Sequence, residues 1–325
     1  MNTEIGFVVI GRNEGNRLVD CLASIADYAP RIVYVDSAST DQSVQYAQSQ
    51  DVHVLELDMS VKFTAARARN AGFSLLLQHY PDIRYVHFVD GDCMVNQAWV
   101  GYALDFLNHH VQVAVACGRR RERYPQATPY NQLCDIEWDT PTGKAKACGG
   151  DAIMRAAVFK QVGGFNESLI AGEEPELCIR IRQQGFDIWR LDHEMTLHDA
   201  AITRFAQWWK RTMRAGYAYA EGSRLHGAAP EYHWVSESRR AWLWGGVLPA
   251  LLLISLLLCP LLALAIASLF VVQYVRLWRK HQHLGHFSAV YVKYLMLGKV
   301  AEMVGQLRYF WHRLLNVKST LIEYK

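Results

Sequence analysis

Residues 241–278 form an almost wholly apolar run with no charged residue before Arg276. A backbone crossing lipid must satisfy its own hydrogen bonds, so such a run is a helix or it is buried. One spanning helix needs roughly 20 apolar residues. The run is too long for one comfortable span and slightly short for two. Pro260 stands near its middle, where it can mark a tight turn between helices. Arg239 and Arg240 precede the run, and Arg276, Arg279 and Lys280 close it. Positive residues stay on the cytoplasmic side, so both ends are expected there. The pattern predicts a transmembrane helical hairpin over 241–278, crossing twice or re-entrant, with one long tilted helix as the alternative.

The first ninety residues follow a different rule. Short apolar runs at 5–10, 32–35, 53–57 and 85–89 predict strands, and 16–27, 41–49 and 64–79 predict amphipathic helices between them. Leu18, Leu22 and Ile25 share one face of the first helix, and Asp41 can cap the second. Alternation of this kind implies a doubly wound, Rossmann-like α/β sheet, mostly parallel. Ligands bind beyond the carboxyl ends of such strands. Polar clusters stand there: Asn13-Glu14 after the first strand, Asp36-Ser37 after the second, Asp90-Gly91-Asp92 after the fourth.

Asp90 and Asp92 can reach one divalent cation of the Mn²⁺ or Mg²⁺ kind, which commonly bridges carboxylates to substrate phosphates. Asp-Gly is also a strong hairpin signal. The net charge of +3 over 325 residues does not suggest a nucleic-acid partner. Seven scattered cysteines without a Cys-x-x-Cys pair argue against a zinc site or a disulfide scaffold. Arg119, Arg120, Arg121 and Arg123 read as a solvated basic loop, with ordering of phosphates as the alternative. Phe205, Trp208, Trp209, Met213 and Tyr217 lie near one helical face beside Lys210, Arg211 and Arg214. That suits either a membrane-interface helix or one packed on the protein. In the tail, Val300, Met303, Val304, Leu307, Phe310, Trp311 and Leu314 make a clearer amphipathic stripe.

Six motifs taken in order resemble the family 2 glycosyltransferases with the GT-A fold. Val8-Val9-Ile10-Gly11-Arg12-Asn13-Glu14 is similar to the family's first strand and turn, and Val35-Asp36-Ser37-Ala38-Ser39-Thr40-Asp41 to its "DDGSTD" element. Ala68-Arg69-Asn70-Ala71-Gly72 matches "ARNxG", and Asp90-Gly91-Asp92 matches DxD. Gly163-Gly164-Phe165-Asn166-Glu167 matches "GGFxE", and the run Gly172 to Arg180 resembles "GEDxDLxxR". The resemblance covers roughly 5–220.

It implies a catalytic domain over 1–235, with a nucleotide-binding half at 1–92 and an acceptor half with an interfacial helix at 93–235. The hairpin at 241–278 and an amphipathic segment at 286–325 follow. It implies a nucleotide-sugar donor contacted by Asn13, Glu14, Asp36, Arg69 and Asp90. Asp92 and Asp90 would hold Mn²⁺ or Mg²⁺, and His198 is a plausible further ligand. The general base would be Glu174, with Glu173 left open because the family has Asp at the second position. Cys148-Gly149-Gly150-Asp151 matches an acceptor-side segment and makes Asp151 a candidate acceptor contact. Gln207-Trp208-Trp209-Lys210-Arg211 resembles the signature of processive synthases but departs from it, and one hairpin cannot form an export channel. The resemblance thus implies single-sugar transfer with inversion, in exopolysaccharide or cell-envelope synthesis. The acceptor would be lipid-linked or a saccharide, at the cytoplasmic face of a bacterial inner membrane. A polyprenyl-phosphate sugar synthase and a non-catalytic nucleotide-sugar-binding module are the rivals.

Overall fold

The computed structural model describes residues 4–316, so the end of the expected 286–325 segment, 317–325, lies outside the described residues. The chain divides into two compact units, Met1–Ala201 and Ile202–Lys325.

The first unit opens with four parallel strands: β1 (Ile5–Gly11), β2 (Ile32–Asp36), β3 (His53–Glu56) and β4 (Tyr85–Asp90), side by side as β3-β2-β1-β4. Between them run α1 (Asn16–Ser24), α2 (Ser43–Gln48) and α3 (Ala65–His79). β1 and β2 are buried along almost their whole length, as strands covered on both faces must be. Thr64 starts α3 by accepting a hydrogen bond from the Arg67 amide at 3.1 Å. Asp41 does not cap α2. Gln42 holds that position, and the Asp41 carboxylate accepts from the amides of Ser43 (2.9 Å) and Gly15 (3.1 Å). It thereby ties the turn after β2 to the turn after β1.

The chain continues through β5 (Cys93–Val95), α4 (Trp99–His109), β6 (Val113–Glu122), α5 (Pro129–Trp138), β7 (Gly143–Ala145), β8 (Ala152–Arg155), α6 (Ala156–Gln161), α7 (Glu173–Gln183) and β9 (Asp187–His198). The sheet order is β3-β2-β1-β4-β8-β6-β9-β5, with β7 also on β9. β8 runs antiparallel to both β4 and β6, β9 runs parallel to β6, and β5 and β7 run antiparallel to β9. The sheet is therefore mixed: its first four strands and the β6–β9 pair are parallel, and the other pairings are antiparallel. The hairpin alternative for Asp90-Gly91-Asp92 also fails. β4 pairs with β1 and β8 while β5 pairs with β9, so the tripeptide moves the chain from one part of the sheet to another. Trp99, Tyr34, Tyr85, Phe7 and Phe88 fill the core.

The second unit is helical: α8 (Phe205–His226), α9 (Val235–Trp242), α10 (Leu248–Leu258), α11 (Pro260–Lys280) and α12 (Ser288–Leu314). A π-helical stretch over Leu243–Val247 joins α9 to α10, making one helix over Val235–Leu258. Cys259 is extended, and Pro260 opens α11 at a first-turn position where its missing N–H costs nothing. The rings of Trp244 and Phe270 lie 5.6 Å apart. In a straight helix their 26-residue separation would span about 39 Å at 1.5 Å per residue, so the chain doubles back at Pro260. Val235–Leu258 and Pro260–Lys280 are each long and apolar enough to cross a membrane.

Two expectations for this unit need correction. Trp208 and Tyr217 do not lie on an open interfacial face. They are buried against α12, with ring distances of 4.9 Å to Tyr294 and 5.2 Å to Tyr309. The tail's apolar stripe is only partly its packing face, with Val300, Met303 and Val304 half-buried. α12 buries Gly298, Ala301, Glu302, Gly305, Gln306 and Tyr309, while Leu307, Phe310, Trp311 and Leu314 are exposed. Small residues explain the choice. A Cβ on Gly216 would strike the backbone of Glu302, and one on Gly305 would strike that of Met213. Only glycine lets α8 and α12 approach so closely.

Candidate active site

Arg69, on α3, is almost fully buried, and it gathers three acids. Its Nη2 donates to Asp90 Oδ1 at 2.8 Å, and its Nη1 donates to Glu173 and Glu174, each at 3.0 Å. Asp90 ends β4, and the two glutamates open α7, where acidic side chains suit the positive end of the helix dipole. Gly172 starts that helix with φ of +82°, a conformation glycine adopts freely. Gly150 passes close beside the cluster. A Cβ there would lie 2.9 Å from Arg69 Nη2 and 3.0 Å from Asp90 Oδ2, so no larger residue fits without moving them.

The charges set each other's protonation. Burial opposes ionisation of Asp90, but the Arg69 and Arg120 guanidinium groups outweigh it and hold its pKa below the ordinary value. Glu174 goes the other way. Burial first, then the adjacent Glu173, push its pKa up to about 7 against the pull of Arg69. Two carboxylates of one cluster are thus driven apart, one firmly ionised and one poised near neutrality.

Beyond Asp90 lies a second corner. Asp92 is buried, and its Oδ2 stands 3.1 Å from His198 Nε2. His198 is the last residue of β9, paired with Cys93 in the β5–β9 ladder, and its ring stacks on Trp138 at 4.6 Å. Its Nδ1 is buried without a hydrogen-bond partner. Cys93 Sγ lies 3.7 Å from Asp92 Oδ1 and 3.4 Å from Asp151 Oδ2. Among the described residues, Asp92, Cys93 and His198 bring one ligand atom each to within 4.8 Å of one another, as do Asp90, Cys93 and Asp151. Carboxylate, imidazole and thiol with a spare buried nitrogen fit a divalent cation.

Asp151 is fully buried, so it offers no open face to an acceptor. Its carboxylate is taken by Arg120 (2.9 Å), Thr196 Oγ1 (2.8 Å) and the Asp90 amide (3.2 Å). On the donor side, Asp36 accepts from Tyr34 OH (3.0 Å), the Ser39 amide (2.8 Å) and Ser39 Oγ (2.5 Å). These three bonds fix the carboxylate at the end of β2, where it is 2% exposed. Asn13 adopts a left-handed backbone and accepts from the Thr40 amide at 2.7 Å, locking the two turns together. Glu14 pairs with Arg17 at 2.8 Å.

Trp138, Thr196 and Cys93 carry no site signal in the sequence, and Arg120 stands out there only as one of an arginine run with a phosphate-ordering alternative. The arginine run is no loop. It lies on β6 and the residue after it, and its members pair separately: Arg119 with Asp135, Arg121 with Glu194, Arg123 with Asp20. Arg120 alone turns into the site, over Trp138 and toward Asp90 at 3.7 Å. The apolar run Val113–Cys117 is the sequence signal for a strand, and four arginines in the five residues 119–123 mask it. Cys93 adjoins the DxD motif but belongs to no Cys-x-x-Cys pair, so its spacing carries no signal.

Solved structures similar to this chain share its fold. A mannosyltransferase from Pyrobaculum calidifontis, solved with GDP-mannose and Mn²⁺, is 15% identical, with a TM-score of 0.63 over 95% of this chain and 88% of that one. A mycobacterial protein is 15% identical, with a TM-score of 0.50 over 69% of this chain and 74% of that one. No curated protein sequence matches. The mixed sheet is that of the GT-A glycosyltransferases. Residues 7–162 match the family described as glycosyl transferase family 2, and the first unit is a catalytic domain of that family. The chain is a glycosyltransferase.

Proposed function

We propose that this enzyme moves one sugar from a nucleotide-diphosphate sugar to an acceptor at a membrane surface, inverting the anomeric carbon. The observation that carries the reading is the shared guanidinium of Arg69. It joins Asp90, on the metal side, to Glu173 and Glu174, on the side where a base is needed. Asp36, Asn13 and Glu14 would receive the nucleoside end of the donor. Asp90, Asp92 and His198 would hold a divalent cation, Mn²⁺ or Mg²⁺, which when bound supplies Lewis-acid neutralisation of the departing diphosphate. Glu174 would accept the proton of the acceptor hydroxyl as it attacks, a role suited to a carboxyl poised near neutral pH. Glu173, more deeply buried, would hold Arg69 in place. Asp151 would act behind the site by fixing Arg120.

The two apolar helices and the exposed Arg239 and Arg240 beside them support anchoring in the bacterial inner membrane, with the catalytic unit in the cytoplasm. A membrane-held enzyme suits a lipid-linked acceptor, as in exopolysaccharide or envelope assembly.

The test uses the full chain in detergent with a panel of nucleotide-sugars, Mn²⁺ and Mg²⁺. The correct donor with metal should raise thermal stability, by about 2.7 kcal/mol at a concentration 100 times Kd. It should also be hydrolysed slowly. Asp92→Asn and excess EDTA should each remove both effects while circular dichroism stays unchanged. Full turnover in EDTA would refute the metal-dependent reading.

A further inference from the structure

α9 begins the helix that continues as α10, and its first turns carry a cavity of about 350 Å³. Val235, Ser236, Arg239, Arg240 and Leu243 line it, together with Tyr232, which precedes the helix. From Val235 onward these positions recur at steps of three and four, so they share one helical face. The turn that carries Tyr232 is fixed from inside. Trp234 takes a left-handed backbone, φ +53°, and its ring packs on Tyr219 of α8 at 5.2 Å and on His233 at 4.1 Å. Tyr232 is left 63% exposed at the rim.

The charge in this cavity has one sign. Arg239 and Arg240 are exposed, no carboxylate lines the cavity, and neither guanidinium forms an ion pair among the described residues. A guanidinium presents its N–H groups as a planar fork that fits phosphate oxygens, and the Ser236 and Tyr232 hydroxyls add donors. The apolar run starts at Ala241, directly after Arg240, so the cavity stands at the polar edge of the first candidate span. Trp234, Trp242 and Trp244 crowd the same stretch, as tryptophan does at a membrane–water interface. The anion met at that depth is the phosphodiester of a lipid. Resting on the reading that Val235–Leu258 enters a membrane, we propose that this cavity binds the headgroup of an anionic phospholipid. Arg239 and Arg240 hold its phosphate, Tyr232 and Ser236 its polar end, and Leu243 meets the first acyl carbons. Diffuse attraction between basic flanks and an anionic membrane needs no cavity. Arg279 and Lys280, in the last turn of α11, carry the same charge outside it, and they supply the control.

The test follows the thermal stability of the full chain in uncharged detergent on adding dioctanoyl phosphatidylglycerol, dioctanoyl phosphatidylcholine or glycerol 3-phosphate. Phosphatidylglycerol should stabilise the wild type saturably, and the other two should not. Arg239→Gln combined with Arg240→Gln should weaken that binding roughly thirtyfold, the joint effect of two arginines at an anionic surface. Arg279→Gln combined with Lys280→Gln should leave it nearly unchanged. All four positions are exposed and glutamine is a good helix former, so both variants should fold. Should either not fold, the wild-type preference between two lipids of equal chain length carries the test. Equal stabilisation by phosphatidylcholine, equal loss in the two double variants, or glycerol 3-phosphate acting as well as the lipid would each overturn the inference. If the wild type takes both lipids alike, anchoring stands and the headgroup site falls. If the chain stays dispersed in water without detergent, both fall.

Discussion

The two units of this chain bury opposite things. The first puts Trp99, Tyr34, Phe7 and Phe88 inside and gathers Asp90, Glu173 and Glu174 around the buried Arg69. The second packs α8 on α12 through glycine and alanine beside the buried rings of Trp208, Tyr217 and Tyr309, and joins α9 to α12 where Ser238 donates to Gln306 at 2.6 Å. Most bulky residues of α10 and α11 face outward: Leu257 is 87% exposed and Leu261 79%. Water drives apolar side chains into a core, whereas helices solvated by lipid gain little that way and associate through close backbone approach. The difference teaches that the first unit adds compensated buried charge to an apolar core, while the second adds close backbone approach at glycines to a few buried rings. The second half of this contrast accords with the proposed anchoring.

The comparison can be broken most severely at Asp92, whose replacement by Asn should eliminate metal-dependent turnover. Glu174→Gln comes next. Loss of a general base costs about 10²–10⁴ in rate, and kcat should fall by that much while donor affinity changes little. If Glu173→Gln is the crippling change and Glu174→Gln is mild, the base is the other carboxylate. Arg69→Met tests the charge net itself. Removing one partner of a buried ionic cluster costs about 3–5 kcal/mol, and denaturant unfolding of the first unit should show that loss. A change under about 1 kcal/mol would mean that the three acids do not depend on Arg69. The smallest effect is expected in the second unit. Gly216→Ala forces α8 and α12 apart, and overpacking of this kind costs about 1–3 kcal/mol, read as lowered thermal stability in detergent.

Much of the first unit was legible because its signals are local. β1 to β4 and their helices lie within a residue or three of expectation, since apolar runs and helical periodicity are written in consecutive residues. Antiparallel pairing of β8 with β4 and β6 was not legible, because pairing across more than thirty residues leaves no periodic trace. The site divides the same way. Asp90, Asp92, Glu173 and Glu174 announced themselves in motifs, whereas Arg120 and Cys93 matter only through what the fold brings beside them. In the second unit the turn at Pro260 was readable, but the packing face of α12 was not. Periodicity locates the apolar stripe of a helix; it does not say whether that stripe meets protein or faces outward.

The central claim is that one buried network holds Asp90 ionised while keeping Glu174 poised near neutrality as the base. For a carboxyl raised from its ordinary 4.5 to about 7, the folded state binds the extra proton between those values. Its contribution to stability therefore falls as pH rises through that window, while its fitness as a base rises. The decisive measurement is kcat against pH, from about pH 5 to about pH 8.5, for the wild type and Glu174→Gln with saturating donor and metal. The account predicts a wild-type rate that climbs with an apparent pKa near 7, and a low residual rate in Glu174→Gln without that limb. The same limb persisting in Glu174→Gln, or a wild-type rate flat across the range, would contradict it.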